Sequence, residues 1–298
     1  LTDDKTFPYL EITREDFQRE HGVVQRELEL GKDSVRRVMW YTHARNVFGD
    51  HPAAVPVIGY AAPLREVTYE DVLAYHSETY VPQNMVFTVV GDVDVEAVLA
   101  RVRRGFAGLP AGRVPERILP EVAPLAGVRR VVREHPEVTE AIEELSFQTI
   151  PLVHDDLYAL DVLSYALTRG VNSRLTRTIR REQKLVTTLR SSSWTPQWGK
   201  GIFSIRFRTD PNRAAQAEQA ILDELRRVAA EGVTAGELER AKRRKAYDYV
   251  SSQQTVESIS STLATDYLAT GDVGFSRDYT DRIQRVTPGE VRAVARTY

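Results

Sequence analysis

Pro110, Gly112, Pro115, Pro120, Pro124 and Gly127 crowd the short stretch from Leu109 to Gly127. Each proline fixes φ and removes a backbone donor, so regular structure is disfavoured there and the stretch reads as an extended connector. A chain of 298 residues accommodates about two domains at the usual ~100–200 residues each. The predicted organisation is a first module at 1–109, a linker at 110–127 and a second module at 128–298.

Within the first module the pattern predicts a long helical stretch at 13–48, opened by a capping box of Thr13 and Asp16. A helix at 68–80 follows and Pro82 ends it. The β-branched, apolar run at 85–90 reads as a buried strand, and 95–106 as a further helix. The second module is predicted to hold strands at 128–133, 141–150, 186–193 and 202–208. Helices are expected at 155–169, 173–182, 213–231, 235–254, 256–269, 276–286 and 288–297. Strands in blocks with helices in blocks predict an α+β layer rather than a doubly wound parallel sheet.

An internal echo joins the two modules. Val67-Thr68-x-x-Asp71-Val72-x-Ala74 recurs as Val286-Thr287-x-x-Glu290-Val291-x-Ala293. The first copy leads into the run at 85–90, whereas the second reaches Tyr298. Taken as repeats, the copies predict a chain trimmed at both ends, its first module lacking an N-terminal half.

Composition narrows the chemistry. With 40 basic against 42 acidic residues, the chain lacks the basic excess of a nucleic-acid binder. Its apolar runs are too short to span a bilayer. Cysteine is absent, which excludes disulfides, thiolate metal sites and a cysteine nucleophile. Any metal must therefore be held by His, Asp or Glu. His21, His43, His51, His76, His135 and His154 show no paired metal spacing and read as surface or structural histidines. Arg174, Arg177, Arg180 and Arg181, and the basic run at 242–245, read as solvated helix faces.

The informative segment is 17–29, FQREHGVVQRELE. With Phe17 and Val24 at one helical position, Glu20 and Glu27 each fall three residues later, where a second apolar residue would normally sit. Two carboxylates would then project from one inward-leaning face, each in need of a cation or of several donors. The alternative reading is a semi-exposed face, with both groups satisfied by Arg19, Arg26 or a neighbouring helix.

Glu20-x-x-Val23-Val24-x-x-Glu27 resembles the distal carboxylate segment of the M16 zinc peptidases, the pitrilysin, insulinase and mitochondrial-processing-peptidase group. Asp50-His51-Pro52 with Pro56-Val57-Ile58-Gly59 resembles the loop that follows in that family, and 68–80 with 82–93 its next helix and strand. Ser173-Arg174-Leu175, Ile179-Arg180, Gly201-Ile202-Phe203 and Thr209-Asp210-Pro211 resemble its second repeat. The resemblance implies a clamshell of two homologous α+β modules, each a mostly antiparallel sheet flanked by helices, acting as a zinc-dependent endopeptidase. It makes Glu27 the third zinc ligand and Glu20 a supporting carboxylate that orients a ligand or the water. The family's zinc motif, His-x-x-Glu-His, occurs nowhere in 1–298 and by position would precede Leu1, so the fragment alone is expected to be inactive. Retention of both Glu20 and Glu27 favours a motif located upstream over a pseudo-enzyme.

A substrate-binding arginine and a tyrosine seven residues on are a further family feature. Arg180 fits the arginine, but the tyrosine position holds Thr187. The resemblance therefore implies the zinc-bearing half of a pair, working on peptides with a homologous partner subunit or as a homodimer. A non-catalytic scaffold or substrate-holding subunit is the competing reading. Kinship favours a bacterial, periplasmic protein.

Overall fold

The computed structural model describes residues 11–31, 34–109, 111–112, 114 and 118–298. Pro110 and Pro115 of the expected linker lie outside the described residues. The chain divides into two compact units, Leu1–Pro120 and Glu121–Tyr298.

Among its described residues the first unit forms α-helices and short 3-10 turns but no strand: α1 (Arg14–Gly31), α2 (Val35–Phe48), α3 (Ala61–Glu66), α4 (Tyr69–Thr79) and α5 (Val95–Phe106). The single helix expected at 13–48 is thus two. Thr13 and Asp16 form the expected box, with the Asp16 amide donating to Thr13 Oγ1 at 3.1 Å and the Thr13 hydroxyl to Asp16 at 2.7 Å. His21 Nε2 lies 2.8 Å from Leu64 O and ties α1 to α3, while the Tyr69 hydroxyl donates to Ile12 O at 2.7 Å and ties α4 to the start of α1. His51 is a turn residue: it is buried, its Nδ1 accepts from the Ala53 amide, and its Nε2 meets Pro120 O at 2.8 Å. The core of this unit is thin. Among the described residues its buried apolar side chains are Ala44, Val47, Phe48, Ala54 and Val81, whereas Leu30, Val57, Phe87 and Val89 are exposed.

The run at 85–90 corrects the sequence reading, since it is neither a strand nor buried; Phe87 and Val89 are 45% and 44% exposed. The residues at 128–133 likewise form no strand and are exposed. In both runs β-branched residues supply propensity, but propensity is realised only against a partner strand and a packed face.

The second unit holds the sheet and the main core. Strands β1 (Ala141–Gln148), β2 (Thr188–Trp194) and β3 (Ile202–Thr209) form one antiparallel sheet in the order β1-β3-β2. Helices α6 (Leu157–Thr168), α7 (Ala214–Glu231), α8 (Ala235–Ser252), α9 (Val256–Thr270), α10 (Tyr279–Arg285) and α11 (Pro288–Thr297) complete an α+β fold. Central β3 buries Ile202, Phe203, Ile205 and Phe207, and α6 buries Leu160, Leu163 and Leu167, as their spacing predicts. Lys242 is buried rather than solvated, and its ammonium donates to Gln284 O at 3.0 Å. Between α6, α8 and α10 the Tyr279 hydroxyl donates to Asp161, which also lies 3.3 Å from Lys245 Nζ. Burial, with the Asp161 charge beside it, pushes the Tyr279 phenol far above its ordinary value, so it acts as a fixed neutral donor.

Both copies of the echo fold alike. Thr68 with Asp71, and Thr287 with Glu290, each form a reciprocal capping box at a helix start. Gly201 carries the sheet into its connections: its amide donates to Ile150 O and its carbonyl accepts from the Thr149 amide. A Cβ there would lie 2.6 Å from Ile150 O and closer still to Trp194 O. Two backbone carbonyls cannot step aside, so Gly201→Ala is expected to cost about 1–3 kcal/mol. A thermal melt checks this, and an unchanged midpoint would contradict the geometry.

Candidate functional site

Glu20 and Glu27 share α1, seven residues and about 10 Å of axial rise apart. Phe17 and Val24 mark its half-buried stripe, and a carboxylate three positions later stands about 60° round the helix from that stripe. The rotation decides their exposure: the Glu20 and Glu27 side chains are 63% and 56% exposed. The inward-leaning pair is therefore corrected to an outward one. Glu20 accepts from Arg19 Nε at 3.1 Å. Glu27 accepts from Arg37 Nη2 at 3.0 Å, and Arg37 Nη1 donates to the Glu27 carbonyl. Exposed pairs of this kind contribute only ~0–1 kcal/mol, so both carboxylates remain available to a stronger cation.

Zinc needs three or four convergent donors. No group of three His, Cys, Asp or Glu side chains capable of holding a metal occurs among the described residues. His21, the histidine on the same helix, is engaged at Leu64 O. These residues do not make a zinc site by themselves; Glu27 is one donor of an incomplete set.

In the second unit the expected short helix at 173–182 is a π-helix, Thr176–Glu182. π-Turns are rare and concentrate at functional sites. Leu175 and Ile179 are fully buried under it. Lys184 closes it at φ 54°, a left-handed position normally given to glycine. The four arginines here differ sharply, which corrects the reading of one solvated face. Arg174 is 11% exposed and grips Glu237 with two hydrogen bonds of 2.8 and 2.7 Å, with Glu224 at 3.9 Å. Arg177 lies 3.8 Å from Glu237, and Arg181 donates to Val171 O and Asn172 Oδ1 at 3.4 Å. Arg180 is exposed and, among the described residues, is the one of the four whose side chain makes no hydrogen bond or ion pair.

Burial alone would raise the Glu237 carboxyl, but the Arg174 guanidinium and the Thr234 amide outweigh it and hold the group below its usual value. Glu237 is also the N3 residue of the capping box with Thr234 that starts α8. That local box was readable in the sequence as Thr-x-x-Glu; its long-range arginine was not. Beside the pair lies a cleft of about 200 Å³ lined by Tyr165, Arg169, Asn172, Ser173, Glu237 and Arg240. Thr187 is exposed, and its hydroxyl donates to Glu140 Oε1 at 2.8 Å.

Residues 66–245 match the family model described as the peptidase M16 inactive domain. The chain belongs to the peptidase M16 family. An uncharacterized zinc protease of Streptomyces coelicolor is 27% identical over 293 residues, which cover 96% of this chain and 63% of that protein. An uncharacterized zinc protease of Mycobacterium tuberculosis is 29% identical over 290 residues, covering 95% of this chain and 64% of its own length. This chain thus spans a little under two thirds of the length of these two M16 relatives. The zinc protease PqqE of Helicobacter pylori is 24% identical over 303 residues, 99% of this chain and 67% of that protein. In fold, the crystal structure of a protease from Helicobacter pylori superposes with a TM-score of 0.85 at 23% identity, covering 97% of this chain and 70% of that one. The peptidase M16 inactive domain from Pseudomonas fluorescens gives 0.80 at 19% identity, covering 96% and 68%.

Proposed function

We propose that this chain is the greater part of a zinc-dependent M16 endopeptidase subunit, with Glu27 as a metal ligand, Glu20 as its supporting carboxylate and Arg180 as a substrate-binding cation. The observation that carries the reading is the extent of similarity to proteins named zinc proteases. It runs over 95–99% of this chain and so takes in α1 as well as the second unit. The donors missing around Glu27 are supplied by residues of the full-length protein outside this chain. Peptide is the substrate class, and its backbone carbonyls and carboxylates are what an unpaired guanidinium such as Arg180 recognises.

The partner is a homologous M16 subunit. The support is Thr187, which stands where a phenol would complete the Arg180 pair and is instead bonded to Glu140 and to Arg208 O. Hydrolysis of an unstructured fluorogenic peptide by the full-length protein is expected to be weak alone. It should rise by about a hundredfold or more when a homologue carrying the arginine and tyrosine is added, the effect typical of one added hydrogen-bond donor to the reacting centre. Full activity of the isolated protein, unchanged by any homologue, would refute the paired reading.

A non-catalytic subunit is the second reading. Its support is the matched domain, described as the inactive domain of the family, together with the incomplete donor set around Glu27. Metal content of the full-length protein separates the two readings.

A further inference from the structure

The segment that carries Arg180 departs from ordinary structure in three independent ways. It is a π-helix, it ends on a non-glycine residue in the left-handed region, and it is anchored by a buried ion pair. Each is locally unfavourable and each is held by contacts around it. A buried ion pair is in general weak evidence for stability, because desolvation offsets most of the attraction; its better-attested use is to fix one arrangement among several.

The connections run in sequence from the core to Arg180. The start of α8 is fixed by the Thr234 box, in which the Thr234 amide donates to Glu237 Oε2 at 2.9 Å. Glu237 takes both prongs of Arg174. The Arg174 carbonyl then accepts from the Thr178 hydroxyl at 2.9 Å, within the π-turn itself. At the far end the Leu185 amide donates to Ile179 O at 3.0 Å, and the buried Thr209 hydroxyl to Leu185 O at 2.7 Å. Arg213 Nη1 donates to Lys184 O at 3.0 Å. Both ends of the turn are pinned, its inner face is locked by Leu175 and Ile179, and Arg180 alone among its arginines is left uncommitted.

We propose that the Arg174–Glu237 pair is the positioning element that holds the π-turn Thr176–Glu182, and through it presents Arg180 to the peptide substrate. The role of Arg180 rests on the function proposed above; the anchoring does not. Arg174 touches no reacting atom and acts only through the turn.

Two variants test this in the full-length protein. Arg174→Lys keeps the charge but cannot make two parallel bonds, and Glu237→Gln keeps the shape but loses the charge. Each is first shown folded by near-UV circular dichroism. Amide hydrogen exchange at 176–185 is expected to quicken by about tenfold in both, as one charge-assisted bond is lost, while exchange in β3 stays unchanged. The kcat/KM for peptide hydrolysis is expected to fall by a similar factor in R174K and by more in R180A. The R174K/R180A double variant should be no worse than R180A, since Arg174 acts through Arg180. Unchanged exchange at 176–185 in a folded R174K would overturn the anchoring. Quickened exchange with additive losses in the double variant would overturn the positioning role and leave a structural pair. Quickened exchange with R180A as active as wild type would overturn the substrate role of Arg180, and the proposal with it. The exchange readout tells that failure apart from a failure of the anchor.

Discussion

Glu27→Gln in the full-length protein is expected to reduce peptide hydrolysis by at least about a hundredfold, the upper end of the loss seen when a group supporting a metal site is removed. An amide keeps the size and one acceptor of the carboxylate but loses the charge a divalent cation requires. The substitution is also structurally mild. Glu27 is more than half exposed and its bond to Arg37 is of the exposed kind, so stability should change by no more than ~1 kcal/mol. A large loss of activity in an unperturbed fold would therefore report on metal and not on folding. Glu20→Gln is expected to cost less, about 10–100-fold, as fits a carboxylate that orients rather than binds. Steady-state kinetics beside a thermal melt check both. Wild-type activity in Glu27→Gln would refute its assignment.

Arg174→Met should be strongly destabilising to the second unit. It leaves the Glu237 and Glu224 carboxylates, each with only 3% of its side chain exposed, without their shared guanidinium. Removing one member of a buried pair costs about 3–5 kcal/mol. The lower end applies, because Arg227 remains 2.9 Å from Glu224 and Arg177 3.8 Å from Glu237. For a domain of this size the melting midpoint should fall by roughly 6–12 °C.

The deficit should depend on pH. Glu237 has a folded value held below its ordinary 4.5, so the pair's contribution is complete above that ordinary value. It is lost as pH falls through the depressed folded one. The stability gap between wild type and Arg174→Met is thus expected to be widest near neutrality and to narrow as pH falls below the ordinary 4.5 of Glu237. A gap independent of pH from 7 down to 3 would show that the pair is not its source.

Elements governed by neighbours in sequence were legible, and those governed by distant partners were not. Helix α5 and helix α11 begin at the residues their patterns mark, because Asp94 and Thr287 cap them locally. The echoed Thr68 and Thr287 boxes follow for the same reason. The runs at 85–90 and 128–133 misled because β-branched residues advertise a strand without naming its partner. The helix expected at 13–48 is instead two, the first ending at Gly31, a residue that disfavours helix, and the second beginning at Val35.

At the site, the spacing of Glu20 and Glu27 correctly put them on one side of α1. It could not say whether another element covers that side, and among the described residues both carboxylates face outward. Arg174 was indistinguishable from its three neighbours because its partner, Glu237, lies 63 residues away. The π-turn has no local signature; only the buried pair and the left-handed Lys184 reveal why the chain takes it.

Glu27 is proposed to belong to a zinc site completed in the full-length protein. Elemental analysis of that protein, dialysed to remove loosely held metal and compared with its Glu27→Gln variant, tests this most directly. About one zinc per chain is expected for the wild type, as one closed set of ligands holds one ion, with most of it lost in the variant. A folded wild-type protein that retains no zinc when offered it, or a variant that holds as much as wild type, would rule out Glu27 as a zinc ligand.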